Sequence, residues 1–108
     1  MITFEDFKRL DIKIGTVLSA EKIPDADKLL RLVFDIGAGD RRQIIAGIAE
    51  VFPDPQVLIG KQMPVLTNLE PRMLRGYESQ GMMLACDSEG RPILLHPERE
   101  VLPGSVIL

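Results

Sequence analysis

The chain has 108 residues, 45% of them apolar and 27% charged, the make-up of one ordinary globular domain with a single modest core. Its formal net charge of −3 excludes a generally basic, phosphate-coating protein, but not a binder with a local positive patch. No apolar run approaches the roughly 20 residues that cross a bilayer, and the opening MITFEDFKRL is mixed and charged, unlike a signal peptide, so a cytoplasmic, reduced chain with no membrane partner is expected.

Residues 3–10, TFEDFKRL, predict a short helix. Thr3 is the N-cap, Asp6 gives an acidic version of a capping box, and Phe4, Phe7 and Leu10 recur at helical spacing. From Asp11 the period changes to two. DIKIGTVLSAEKI sets Ile12, Ile14, Thr16 and Leu18 against Lys13, Gly15, Val17 and Ser19, and Gly15 marks a bulge or sharp bend. PDADK (24–28) is a turn. LLRLVFDI (29–36) alternates again, with Leu30, Leu32, Phe34 and Ile36 on one face. Gly37-Ala38-Gly39-Asp40 predicts a hairpin turn into a third strand, RRQIIAGIA (41–49).

EVFPDPQVLIG (50–60) reads as a loop with one helical turn, and QMPVLTNL (62–69) as the fourth strand. After residues 68–81, a fifth strand is expected in MMLAC (82–86), with SEGR (88–91) as a second hairpin turn. PILLHP (92–97) and GSVIL (104–108) read as edge pieces, in keeping with prolines at 92, 97 and 103. Five strands with a short helix between the third and fourth are the layout of an all-β OB-fold barrel. The expected organisation is one domain over 1–108: an N-terminal helix (1–10), the barrel (11–87) and a C-terminal extension (88–108).

The usual catalytic signatures are missing. One cysteine, Cys86, and one histidine, His96, exclude an internal disulfide and a Cys/His zinc site. Cys86 is expected in the core and His96 at a strand end or turn. Gly37-Ala38-Gly39 lacks the third glycine and the following helix of a dinucleotide loop. Ser79 in YESQG has Tyr77 where a nucleophile elbow has glycine, and a strand where it has a helix. Asp25 and Asp27 lack the further oxygen ligands of a calcium loop. No enzyme activity and no cofactor are expected.

NLEPRMLRGYESQGM (68–82) concentrates the remaining chemistry. Pro71 stiffens the strand exit, and Arg72 and Arg75 present planar forks suited to phosphates or base edges. Gly76 and Gly81 permit unusual backbone or close approach. Met82 offers a soft surface for a base. On spacing alone the stretch is either a nucleic-acid-binding loop at a barrel rim or ordinary turn chemistry.

The pattern N-L-x-P-R-x-L-R-G-x-x-S-Q-G-M resembles the signature of the tRNA-binding domain found at the C-terminus of methionyl-tRNA synthetase, in free-standing structure-specific tRNA-binding proteins and in the endothelial monocyte-activating polypeptide family. FEDFKRLDIKIG, PDADKLLRLVFDIG, IIAGIAE and VLIGKQMPVLTNL are similar to its successive blocks, and PDPQVLIG is similar to bacterial synthetase C-terminal domains. The resemblance implies an OB-fold homodimer that binds tRNA by shape, catalyses nothing, and works alone or with a methionyl-tRNA synthetase catalytic chain. It implies that Lys28 and Arg31 meet the RNA backbone, that Asn68, Arg72 and Arg75 line the groove, and that Ser79 and Met82 complete it. Glu70 and Met73 stand where members often carry basic residues, which implies modest affinity. The alternative is a CsaA-like export chaperone or protein-interaction dimer of the same fold, a family that lacks the SQGM ending.

Overall fold

A computed structural model describes all residues from Met1 to Leu108. Helix α1 (Phe4–Lys8) opens the chain, with both halves of the capping box formed: Asp6 N–H donates to Thr3 Oγ1 at 3.2 Å and Thr3 N–H to Asp6 Oδ2 at 3.1 Å. None of its residues is buried, and Phe4 is 71% exposed. No helix is long and apolar enough to cross a membrane.

The strands are β1 (Ile12–Ile23), β2 (Ala26–Asp35), β3 (Arg41–Ala46), β4 (Gln62–Leu66), β5 (Arg72–Leu74), β6 (Tyr77–Ser79), β7 (Met82–Met83), β8 (Ala85–Ser88) and β9 (Arg91–Leu94). Five of them form one sheet in the order β3-β2-β1-β4-β7, all neighbours antiparallel. The long bent β1 serves both sides. Ile12–Thr16 pair with β4, while Thr16–Ile23 pair with β2. This is the OB-like β arrangement expected from the sequence. The expected helix between the third and fourth strands is realised as two 3-10 turns, Ala49–Val51 and Pro55–Leu58, the second with Asp54 as N-cap and Pro55 in its first turn.

The core follows the alternation of β2: Leu30, Leu32, Phe34 and Ile36 are buried with Val17, Ile44, Leu58, Met63, Val65 and Met83. Burying a side chain of this size stabilises by about 1.5–3 kcal/mol. Gly15 is required for a close approach, since a Cβ there would lie 2.9 Å from the Phe34 ring. Gly37, Ala38 and Gly39 all take positive φ in the predicted turn, where Asp40 N–H donates to Gly37 O at 2.9 Å.

Four expectations are corrected. The inward face of β1 is not the expected one: Gly15 and Val17 turn to the main core, with Val17 1% exposed, and Leu18 points outward, 38% exposed. The register jumps between Val17 and Ser19, so Leu18 is the extra residue of a bulge and the inward phase resumes at Ala20. MMLAC is not one strand: β7 ends at Met83, Leu84 N–H donates to Pro64 O at 3.0 Å, and β8 then departs to pair with β9. Cys86 is therefore exposed on the projecting β8–β9 hairpin. Of the expected edge piece 104–108, only Val106 makes a bridge, to Lys13.

The ladder is also open where a barrel would close, between β3 and β7. That gap is crossed by mixed bonds to the segment 78–80. Gln80 N–H donates to Gln43 O at 2.7 Å, Gln43 N–H to Gln80 Oε1 at 2.9 Å, and Ile45 N–H to Ser79 Oγ at 3.0 Å. Side chains take the place of strand partners, which satisfies buried donors without a regular register.

Candidate nucleic-acid interface

The stretch 68–82 folds as a small hairpin, β5–β6, with Arg72 opposite Ser79 and Leu74 opposite Tyr77. Its two-residue turn is Arg75-Gly76, with φ of 52° and 85°, the pattern of a type I′ turn. Leu74 and Tyr77 pack on Ile23, Ala26, Leu29 and Ile45, a second small core outside the main one. This anchors the hairpin over β2 and β3 and leaves Met73 and Glu78 on its outer face.

Arg42 holds the hairpin's base. Its Nε and Nη2 donate to the two carboxylate oxygens of Asp40 at 3.1 Å each, while Nη1 donates to Thr67 O at 2.7 Å and Gln80 O at 3.2 Å. One planar side chain thus ties β3 to both ends of the stretch, a use of the guanidinium fork that lysine lacks. Sequence reading missed Arg42. Nothing in RRQIIA distinguishes a stapling arginine from an exposed one.

The predicted residues divide by placement. Lys28 and Arg75 come together around an open depression of about 480 Å³ between the β1–β2 turn and the hairpin tip, shared with Asp25 and Asp27. Lys28 lies where the β1–β2 register slips, between the pairs Lys22–Leu30 and Ile23–Ala26, so its backbone is pushed out of the regular ladder. Arg31 sits between tip and base. Its guanidinium carbon lies 5.8 Å from the centre of the Tyr77 ring, and Nη1 is 4.0 Å from Glu21 Oε2. Arg72, Ser79 and Met82 meet with Glu70 at a tighter cleft of about 50 Å³ at the hairpin base.

Two residues are hydrogen-bonded internally. Ser79 is 5% exposed, and its hydroxyl donates to Gly81 O at 3.1 Å while accepting from Ile45. Asn68 lies in a separate depression beside α1. Its Oδ1 accepts from Asp11 N–H and its Nδ2 donates to Arg9 O, both at 2.8 Å. Arg72, Arg75, Lys28 and Met82 remain exposed. Gly81 is needed for close packing, since a Cβ there would lie 2.7 Å from Leu66 O.

The electrostatics are balanced. The two depressions are lined by three cations, Lys28, Arg72 and Arg75, and three carboxylates, Asp25, Asp27 and Glu70. No group of three or more His, Cys, Asp or Glu is placed to hold a metal ion. The geometry offers arginine forks, a soft methionine and a clamped hairpin, which suits contact with a polyanionic surface of defined shape.

Residues 12–106 match the family model described as "Putative tRNA binding domain". The chain is 53% identical over 108 residues to a methionine–tRNA ligase of Methanococcoides burtonii and 51% identical over 104 residues to that of Methanothrix thermoacetophila, matches covering 99% and 96% of this chain. It spans only 16% and 15% of those relatives' length. Among solved structures, a MetRS-related protein from Pyrococcus horikoshii superposes with a TM-score of 0.93 at 34% identity, covering 100% of this chain and 98% of that one. The chaperone CsaA of Bacillus anthracis superposes with a TM-score of 0.89 at 35% identity, covering 100% and 99%.

Proposed function

The chain belongs to the tRNA-binding domain family, and from that premise we propose that it is a non-catalytic tRNA-binding module that delivers tRNA to a methionyl-tRNA synthetase, as a free-standing chain or as part of one. The observation that carries this reading is the gathering of Lys28, Arg31, Arg72 and Arg75 along one clamped hairpin. Lys28 and Arg75 meet phosphates at the tip. Arg72 and Met82 meet them, or a base edge, at the hairpin base. Ser79 and Asn68 act by holding the backbone that presents these groups. The balancing carboxylates keep the affinity modest and make shape, not bulk charge, the basis of selection. Weak binding is enough for delivery, because tethering to a catalytic chain makes the second contact intramolecular. The cytoplasm is where this reading places the chain.

Anisotropy of labelled total tRNA across salt concentrations tests the reading. Binding is expected at low salt, with a slope of log affinity against log salt worth only a few phosphates. Arg72→Ala with Arg75→Ala should weaken it at least tenfold with no change in melting temperature, since both side chains are exposed. No binding at low salt sinks the reading. A second reading, a CsaA-like chaperone, draws on the full-length superposition with that protein. Suppression of client aggregation that tRNA does not compete away would favour it.

A further inference from the structure

We propose that Lys61 and Arg91, with His96 beside them, form a second RNA phosphate contact apart from the β5–β6 groove. The proposal rests on the tRNA-binding reading and extends its footprint. A depression of about 290 Å³ lies between the start of β4 and the β8–β9 hairpin, walled by Lys61, Arg91, His96, Phe52, Pro92 and the neighbouring Ile93 and Leu94. No carboxylate lines it. The groove, by contrast, has as many carboxylates as cations. In a chain of net charge −3, a concave site with uncompensated positive charge is where a phosphate gains most from local potential.

The cations are available. Lys61 and Arg91 are exposed, and neither takes part in any of the chain's ion pairs. His96 is fixed, with Nδ1 2.7 Å from Gln62 O. In the neutral ring, a carbonyl partner requires the proton on Nδ1, so Nε2 is left as an acceptor that suits a ribose 2′-hydroxyl. Phe52 packs its inner side on the main core and offers the cavity an aromatic wall. Lys61 and His96 also border the adjoining depression, where Arg99 is held by Glu98 at 2.9 Å and Glu100 adds a negative charge, so the phosphate site is the side of Lys61 that faces Arg91. Lys61 immediately precedes β4, whose far end, Leu66, pairs with Met82 of the groove. Five residues of strand separate the two surfaces by roughly 16 Å, a distance that one folded RNA spans.

The test is the salt dependence of tRNA binding by Lys61→Ala with Arg91→Ala. Losing two phosphate contacts should flatten the slope of log affinity against log salt by about 1.4–1.8 and lower affinity about tenfold at low salt. Lys61→Arg should keep the wild-type slope. Combined with Arg72→Ala and Arg75→Ala, the losses should add, as separate contacts do. A double variant with the wild-type slope and affinity overturns the proposal and leaves the groove reading intact. A wild-type protein that binds no tRNA overturns both.

Discussion

Ser79 and Arg72 face each other across the β5–β6 ladder, yet their side chains have different work. Arg72 is exposed and free to meet a ligand, whereas the Ser79 hydroxyl is buried and bonded on both sides, to Ile45 N–H and Gly81 O. Removing it orphans a buried backbone donor, which costs about 1–3 kcal/mol. Ser79→Ala should therefore lower the stability measured by urea unfolding by about that amount. Arg72→Ala should leave stability within about 0.5 kcal/mol, as exposed substitutions do. If Ser79→Ala unfolds at the wild-type midpoint but loses tRNA, the hydroxyl is a direct contact and its buried role here is overturned. Residue type alone could not separate the two, because a serine in a motif reads the same whether it binds a ligand or a strand.

At the scale of elements, Arg42 decides whether the hairpin is rigid. Its fork replaces the ladder that β3 and β7 do not form, by bonding Thr67 O and Gln80 O while Asp40 fixes its orientation. Charged hydrogen bonds of this kind contribute about 1.5–3 kcal/mol each. Arg42→Ala should speed amide exchange at Gln43, Ile45 and Gln80 far more than in the β1–β2 ladder, and Arg42→Lys should restore little of the protection. Uniform exchange across both regions would show the hairpin to be held without Arg42, by Leu74 and Tyr77 and the Gln43, Gln80 and Ser79 bonds. The sequence made legible those elements that obey a period. Leu30, Leu32, Phe34 and Ile36 announced β2, Thr3 and Asp6 announced α1, and the GAGD and SEGR glycines announced two turns. It hid elements whose logic is not periodic. The Leu18 bulge resets the phase of β1 in mid-strand. The arms of β5–β6 are three residues each, too short to alternate visibly, and the turn carries arginine where asparagine or glycine is the usual sign. Cys86 read as core because MMLAC is apolar, but the strand breaks at Leu84 and the second half swings out. The Lys61–Arg91 surface joins residues 30 apart that share no motif, so only the fold brings it together.

For the whole molecule, the apolar ends are the unfinished surface. Phe4 is 71% exposed, Leu102 82%, Val106 61% and Leu108 fully so. The C-terminal segment lies along the first half of β1 on the edge that β2 leaves vacant: Ile14 N–H donates to Ser105 O at 2.8 Å, and Ile107 N–H to Ile12 O at 2.9 Å. Beyond it no further strand is paired, so an open edge and an apolar strip coincide, the combination that proteins usually cover. A second copy would cover both at once through a two-fold contact of like with like. A standard interface removes roughly 800 Å² from each partner, about a ninth of the 7126 Å² of this chain's surface. Sedimentation equilibrium at micromolar concentration should therefore report twice the 12.0 kDa chain mass. Val106→Asp with Leu108→Asp should return the single-chain mass with the strand signal in circular dichroism retained, because neither side chain belongs to the core. A dimer would also place two grooves on one particle, so the same variant should weaken tRNA binding only if one tRNA engages both. A wild-type mass of 12.0 kDa under these conditions would reject the dimer and leave the apolar ends to a different chain.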